Sequence, residues 1–323
     1  MARNLVTHFT THSKNKYDVY VGIDQTGAVH SSGPRKGLPK PLPAAVFVNN
    51  TLFTGLSLPA FNPHEIRILV DAIPPSNRLS NTSSKKLKVF VAVDAVLGLP
   101  EECAPKFDRL LKTVTQFQTS RRMRNEAVFG RDAAFEFFLQ FLPMKLRTHV
   151  KAHGRAIPPF RLPERTCERL ANANSVFNRF PAQRNIGCGS YRILSDLANG
   201  FSGDGRNGET KICVWPHQAL NDAEITISEV YPSQMWRILG ISSTRQEKSF
   251  LAYCRKNLEL VERVGGGPKV SADHVDAAVS AIGARHVIEA QGFFMSAAKH
   301  DFGNEGWILG LPFIENLKEG IED

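Results

Sequence analysis

The chain has 323 residues and a mass of 35.8 kDa, enough for two modest domains or one domain with a large insertion, and enough to bury a core without staples. At 42% hydrophobic and 22% charged the composition is too apolar for a disordered chain and has no collagen-like period. No run approaches the ~18–20 apolar residues of a membrane span. The longest apolar runs are broken at Asp94, Pro143 or Gly240.

Residues 1–16 are polar and lack the apolar stretch of a secretory signal, so they are expected to be a disordered or extended N-terminus, with a cytoplasmic address and no membrane partner. The net charge of +9 is concentrated. From Arg121 to Arg192 there are 14 Lys/Arg and 5 Asp/Glu, while the rest of the chain holds 26 of each. Five widely spaced cysteines without a C-x-x-C pair argue against a disulfide framework and a cysteine-built zinc site.

In chain order, Tyr17 to Asp24 alternates and is rich in β-formers, predicting a strand that ends on or beside Asp24. Residues 35–43 read as a loop. Ala44 to Asn49 and Leu52 to Leu56 flank Asn49-Asn50-Thr51 and predict an antiparallel hairpin with a tight turn. Asn62-Pro63 opens a short helix, and Ser76 to Lys88 is a polar, basic loop. Leu87 to Val93 is nearly continuously apolar, as in a strand buried on both faces, and it runs into Asp94.

Residues 100–207 read as a mostly helical insertion, with helices over Asn125 to Leu142, Pro163 to Asn178 and Ile193 to Leu197. A Gly/Asp/Asn-rich linker over Gly200 to Gly208 closes it. Strands are predicted over Lys211 to Trp215 and Glu224 to Val230, the second carrying Glu229 near its end. Gln246 to Val264 has a helical period, Gly265-Gly266-Gly267-Pro268 is a break, and Ala272 to Ala290 is a helix whose first turn carries Asp273 and Asp276.

The predicted elements thus place Asp24, Asp94 and Glu229 at strand ends, and Asp273 and Asp276 at i,i+3 on one helix face. Carboxylates gathered from several elements suit Mg²⁺ or Mn²⁺, which prefer oxygen ligands. Two such ions about 3.5–4 Å apart serve in-line phosphodiester displacement. Singly, each acid also fits a turn, a cap or a helix-dipole role.

The order of Gly22-Ile23-Asp24, VAVDAVLGLP (Val91 to Pro100), Val214-Trp215-Pro216, SEVYPS (Ser228 to Ser233), DHVDAAVSAIGAR (Asp273 to Arg285) and EGWILG (Glu305 to Gly310) resembles the family of domain of unknown function 429, grouped with predicted RNase H-like nucleases. The D-x-x-D-A piece is also similar to the acidic helix of RuvC-type resolvases. The resemblance spans about residues 17–311. It implies an α/β fold over residues 17–323: an RNase H-like mixed sheet, antiparallel in its first three strands and then parallel, flanked by helices and carrying the basic helical insertion over 100–207. It further implies Asp24, Asp94, Glu229 and Asp273 or Asp276 as metal ligands and catalytic residues of a nuclease.

On the insertion, Arg121, Arg122 and Arg124, and then Arg161, Arg165 and Arg169 at near-helical spacing, are expected to line a surface that follows phosphates, making a nucleic acid the expected partner. Two other functions fit the same pattern. One is a non-catalytic nucleic-acid or protein-binding module on the same fold. The other is a phosphotransferase of the actin-like ATPase type, which wants two glycine-rich phosphate turns, whereas only Gln25-Thr26-Gly27 offers itself.

Overall fold

A computed structural model describes residues 17–25, 29–30, 32–73, 87–103, 105–173, 175–177, 186–200, 210–218, 223–241, 247–263, 271–291 and 305–311. The N-terminal 16 residues, most of the 76–88 loop, the glycine-rich 200–208 linker past its first residue, and the 265–268 break lie outside the described residues.

The first strand, β1 (Val19–Asp24), ends on the predicted aspartate. Strands β2 (Leu42–Val48) and β3 (Thr51–Leu58) pair antiparallel. Asn49 and Asn50 carry the left-handed dihedrals, φ 46° and 61°, that a two-residue hairpin requires. Helix α1 (Pro63–Asp71) starts with Pro63 in its first turn, and the Asn62 side chain accepts from the Glu65 N–H at 2.9 Å. β4 (Val89–Asp94) follows.

The insertion holds α2 (Phe107–Met123), α3 (Arg131–Leu139), α4 (Met144–His153), α5 (Thr166–Ala171) and α6 (Ile186–Gly200). Then come β5 (Ile212–Trp215), β6 (Ile225–Glu229), α7 (Pro232–Ile238), α8 (Glu247–Asn257), β7 (Leu260–Arg263) and α9 (Ala272–Gln291). Among the described residues the sheet has seven strands, in the order β5-β6-β4-β1-β2-β3-β7. The β1–β2 and β2–β3 pairs are antiparallel and the other four are parallel. The chain is therefore an α/β protein with a mixed sheet and a mostly helical insertion between β4 and β5.

Several boundaries differ from the sequence expectation, each for a local reason. The 125–142 helix begins only at Arg131, because Asn125 (φ 55°) and Gly130 (φ 107°) leave the helical region. The 163–178 helix shrinks to α5, stopped where Asn172 takes a left-handed conformation. Residues 186–192 extend the 193–197 helix backwards into α6. Helix α8 stops at Asn257, and residues 260–263 instead pair with the open edge of β3, Thr51 opposite Leu260. Unpaired strand backbone at an edge favours such a partner, and here it outweighs the helical period.

Pleating divides the core into two faces. Val19, Val21 and Ile23 of β1, Val89, Val91 and Val93 of β4, and Ile225 and Ile227 of β6 pack in one cluster with α1, α3 and α6. Tyr20 of β1, with Phe90 and Ala92 of β4, packs on the opposite face against α7 and α9. The period of two follows from strand geometry. It decides where the strand-end acids point.

On that second face α9 lies directly on β1. A Cβ at Gly22 would come 1.8 Å from the Ala277 carbonyl oxygen and 2.7 Å from the Ala281 nitrogen, so only glycine permits the approach. Gly22→Ala is therefore expected to lower stability by about 1–3 kcal/mol, as overpacking a tight interior does. Urea denaturation checks this, and a midpoint equal to the parent's would show that the contact is slack.

Candidate active site

Asp24 and Asp94 are the last residues of neighbouring parallel strands and are Cα partners in the register. By the pleat both follow residues of the α9 face, Gly22 and Ala92. Asp24 is only 7% exposed and shares a hydrogen bond with Asp94. The close packing of α9 on β1 brings the helix's first turn to the same end of the strand, where Asp273 and Asp276 add their charge. Trp236 of α7, itself buried, donates from Nε1 to Asp276 Oδ1 at 2.8 Å and fixes that carboxylate's orientation.

These surroundings act on Asp24 in one direction. Burial is the largest influence, followed by the Asp94 charge and hydrogen bond and then by Asp273 and Asp276, and together they raise the Asp24 pKa to about 10. Like charges crowded away from water must take up a proton or a cation. Without a cation, the Asp24–Asp94 pair shares a proton at neutral pH. All four groups are carboxylates, a donor set that fits a hard divalent ion.

Glu229 ends β6 but behaves differently. It is in register with Val93, not with Asp94, so the pleat turns it to the other face. Its two oxygens accept from Arg165, Oε1 from Nη2 and Oε2 from Nη1 at 2.8 Å, and Oε2 also accepts from the Leu97 N–H at 3.0 Å. Arg165 is fully buried and further donates from Nε to Glu168 at 2.9 Å and from Nη1 to the Glu305 carbonyl at 3.2 Å. Burial works against its charge, but Cys167, Glu229 and Glu168 outweigh that and hold the guanidinium well above its usual pKa. Asp94, Arg165 and Glu229 all line one small cavity over the strand ends, with Tyr231 and Ile308.

The six arginines expected to face phosphates divide in two. Arg165 is consumed by the cluster just described. Arg121 is 6% exposed, pairs with Glu136, donates to the Ala127 carbonyl and lies over the Phe117 ring. Neither presents its charge to solvent, so for these two the expected role is corrected: helical period alone cannot tell an inward arginine from an outward one. Arg122, Arg124, Arg161 and Arg169 are exposed. Of these Arg124 pairs with Glu126 at 2.9 Å, and Arg169 lies one turn beyond Arg165 on α5.

Sequence reasoning missed the Arg165–Glu229 pair, which is 64 residues apart, because only the i,i+3 partner Glu168 is visible locally. It also missed the clasp made by Glu305. That carboxylate accepts the N–H of Glu101 at 2.9 Å and of Thr166 at 3.1 Å. Gly98 allows the segment in, since a Cβ there would lie 1.9 Å from the Glu305 backbone carbonyl oxygen. The Gly98 in VLGLP and the Glu305 in EGWILG were the available signals, and Trp307 beside them is packed at 7% exposure.

Among the described residues, no three or more His, Cys, Asp and Glu side chains are arranged as a metal-holding group. Asp24 and Asp94 close around a shared proton while Asp273 is exposed, so the acids stand as a pair with two further charges beside it. His149 and His153, at i,i+4, have other tasks: His149 Nε2 accepts from the Ile157 N–H at 3.0 Å, and the rings lie 4.5 Å apart. Compared with known proteins, the chain has no match to a family model, to a curated protein or to a solved structure.

The raised Asp24 pKa has a signed consequence for stability. The folded protein holds this proton up to about pH 10 whereas the unfolded chain loses it near 3.8, so Asp24 makes stability fall as pH rises between those values. In EDTA, Asp24→Asn is expected to raise Tm at pH 8 by several degrees and to flatten its decline between pH 5 and pH 9. Calorimetry across that range checks it; an unchanged slope would mean that Asp24 ionises freely.

Proposed function

We propose that the chain is a divalent-metal-dependent nuclease of RNase H-like type, hydrolysing phosphodiester bonds of a nucleic acid. The observation that carries this reading is the Asp24–Asp94 pair at the carboxyl ends of two adjacent parallel strands, with Asp24 buried and its pKa raised by Asp94 and by the charges of Asp273 and Asp276. Burying one acid beside other carboxylates is costly, and the cost is accounted for when a cation is part of the working state. The sheet agrees with the reading, its first three strands antiparallel and β4 and β6 parallel to β1 and to each other in turn.

Asp24, Asp94 and at least one of Asp273 and Asp276 would hold Mg²⁺ or Mn²⁺. Such an ion supplies Lewis-acid polarisation of a phosphoryl oxygen and offsets the charge that develops in hydrolysis. The protein's own part is orientation. Trp236 fixes Asp276, α9 fixes its spacing from β1, and the exposed Arg161 and Arg169 flank Arg165, which lines the cavity beside Asp94. Phosphates attracted by those arginines are brought towards the acids.

A non-catalytic binding module on the same fold is the second reading, favoured by one observation: the Glu229 carboxylate is held by Arg165. Cleavage of a panel of labelled single- and double-stranded DNA and RNA separates the two. Mn²⁺-dependent cleavage is expected, abolished by EDTA and reduced on the order of 10²-fold or more by Asp24→Asn or Asp94→Asn. Binding without cleavage by any of these would support the module. Arg161→Glu with Arg169→Glu is expected to weaken nucleic-acid binding several-fold and to reduce its salt dependence, as read by fluorescence anisotropy at two salt concentrations.

A further inference from the structure

The ligand set expected from the sequence treats Glu229 as equivalent to the aspartates, and the geometry does not. Four of the five guanidinium N–H directions of Arg165 are used, two on Glu229, one on Glu168 and one on the Glu305 carbonyl. From the carboxylate's side, both oxygens take Arg165 and one also takes the Leu97 N–H. A bidentate arginine pair is strong and geometrically specific, and breaking a buried one leaves an uncompensated charge. Glu229 also stands in register with Val93, on the opposite side of the pleat from Asp24 and Asp94. Asp24 and Asp94, by contrast, stand opposite each other at the ends of adjacent parallel strands, on the face that α9 covers.

We infer that Glu229 is not a metal ligand, and that the site takes a single divalent cation on the Asp24, Asp94 and α9 side, with Arg165 as the permanent cation on the Glu229 side. Arg165 is then a positioning residue. It comes from the insertion, holds Glu229, and through Glu229 and Leu97 fixes the segment that follows Asp94. This inference rests on the metal-dependent reading above and narrows the two ions expected from the sequence to one.

The test is Mn²⁺ binding to the full chain, by calorimetric titration with free Mn²⁺ followed by electron paramagnetic resonance. One ion per chain is expected. Glu229→Gln is expected to keep one ion and to lose less than about tenfold in affinity, whereas Asp94→Asn loses at least about tenfold. If Glu229→Gln does not fold, the double variant Arg165→Gln with Glu229→Gln removes both charges together, and it too is expected to keep the single ion with less than about tenfold loss of affinity. Two ions in the parent, or a tenfold loss in whichever Glu229 variant folds, would overturn the inference while leaving a metal site standing. No Mn²⁺ bound by the parent at all would overturn both this inference and the metal-dependent reading.

Discussion

The close approach of α9 to β1 across Gly22 is the contact on which the acidic site depends. With any side chain at that position the helix would have to move off the strand, and Asp273 and Asp276 would move with it. The helix face is correspondingly small: Ala277, Ala278, Ala281 and Ala284 are all fully buried in the contact. Small residues bring the backbones together, and the aspartates of the first turn follow from that approach. The charges are crowded because the helix and strand are.

Two solutions to buried charge stand side by side over the ends of β4 and β6. On the Glu229 side a complete ion network is built in, with Arg165 satisfied by two carboxylates and a carbonyl. Such a network stabilises only when every partner is present. On the Asp24 side, burial and the charges of Asp94, Asp273 and Asp276 all press Asp24 to hold a proton. The first arrangement is closed by a countercharge from the chain; in the second, under the proposed metal-dependent reading, a cation would take the proton's place. A rigid neighbour is what a site with a replaceable charge needs.

The sequence made the sheet legible wherever one face or both were apolar without interruption. β1, β4, β6 and the Asn49-Asn50 hairpin came out close to their observed bounds, as did α9, because period and turn chemistry are local. The strand-end aspartates were legible for the same reason: a buried apolar run that stops on an acid is unusual. Register was not legible. That Asp24 faces Asp94, while Glu229 faces Val93, is a property of pairing between strands, and a single residue of offset reverses a side chain's face. The basic insertion was legible as a charge excess but not as a surface, since Arg121 and Arg165 turn inward to partners at distances of 15 and 64 residues. β7 was hidden because its pairing with β3 is made by the backbone.

The Glu305 clasp bears on the order in which the molecule is assembled. Its carboxylate joins Glu101 and Thr166, contacts closed over 204 and 139 residues, and its carbonyl receives Arg165. Long-range contacts of this kind form late, since loop closure precedes any gain, and during synthesis residue 305 emerges after the whole sheet and α9. The aspartates can therefore gather on the sheet before the insertion is fastened down beside them. Completion of the cavity wall is a final step, made when residues 305–311 dock and bring Ile308 to it.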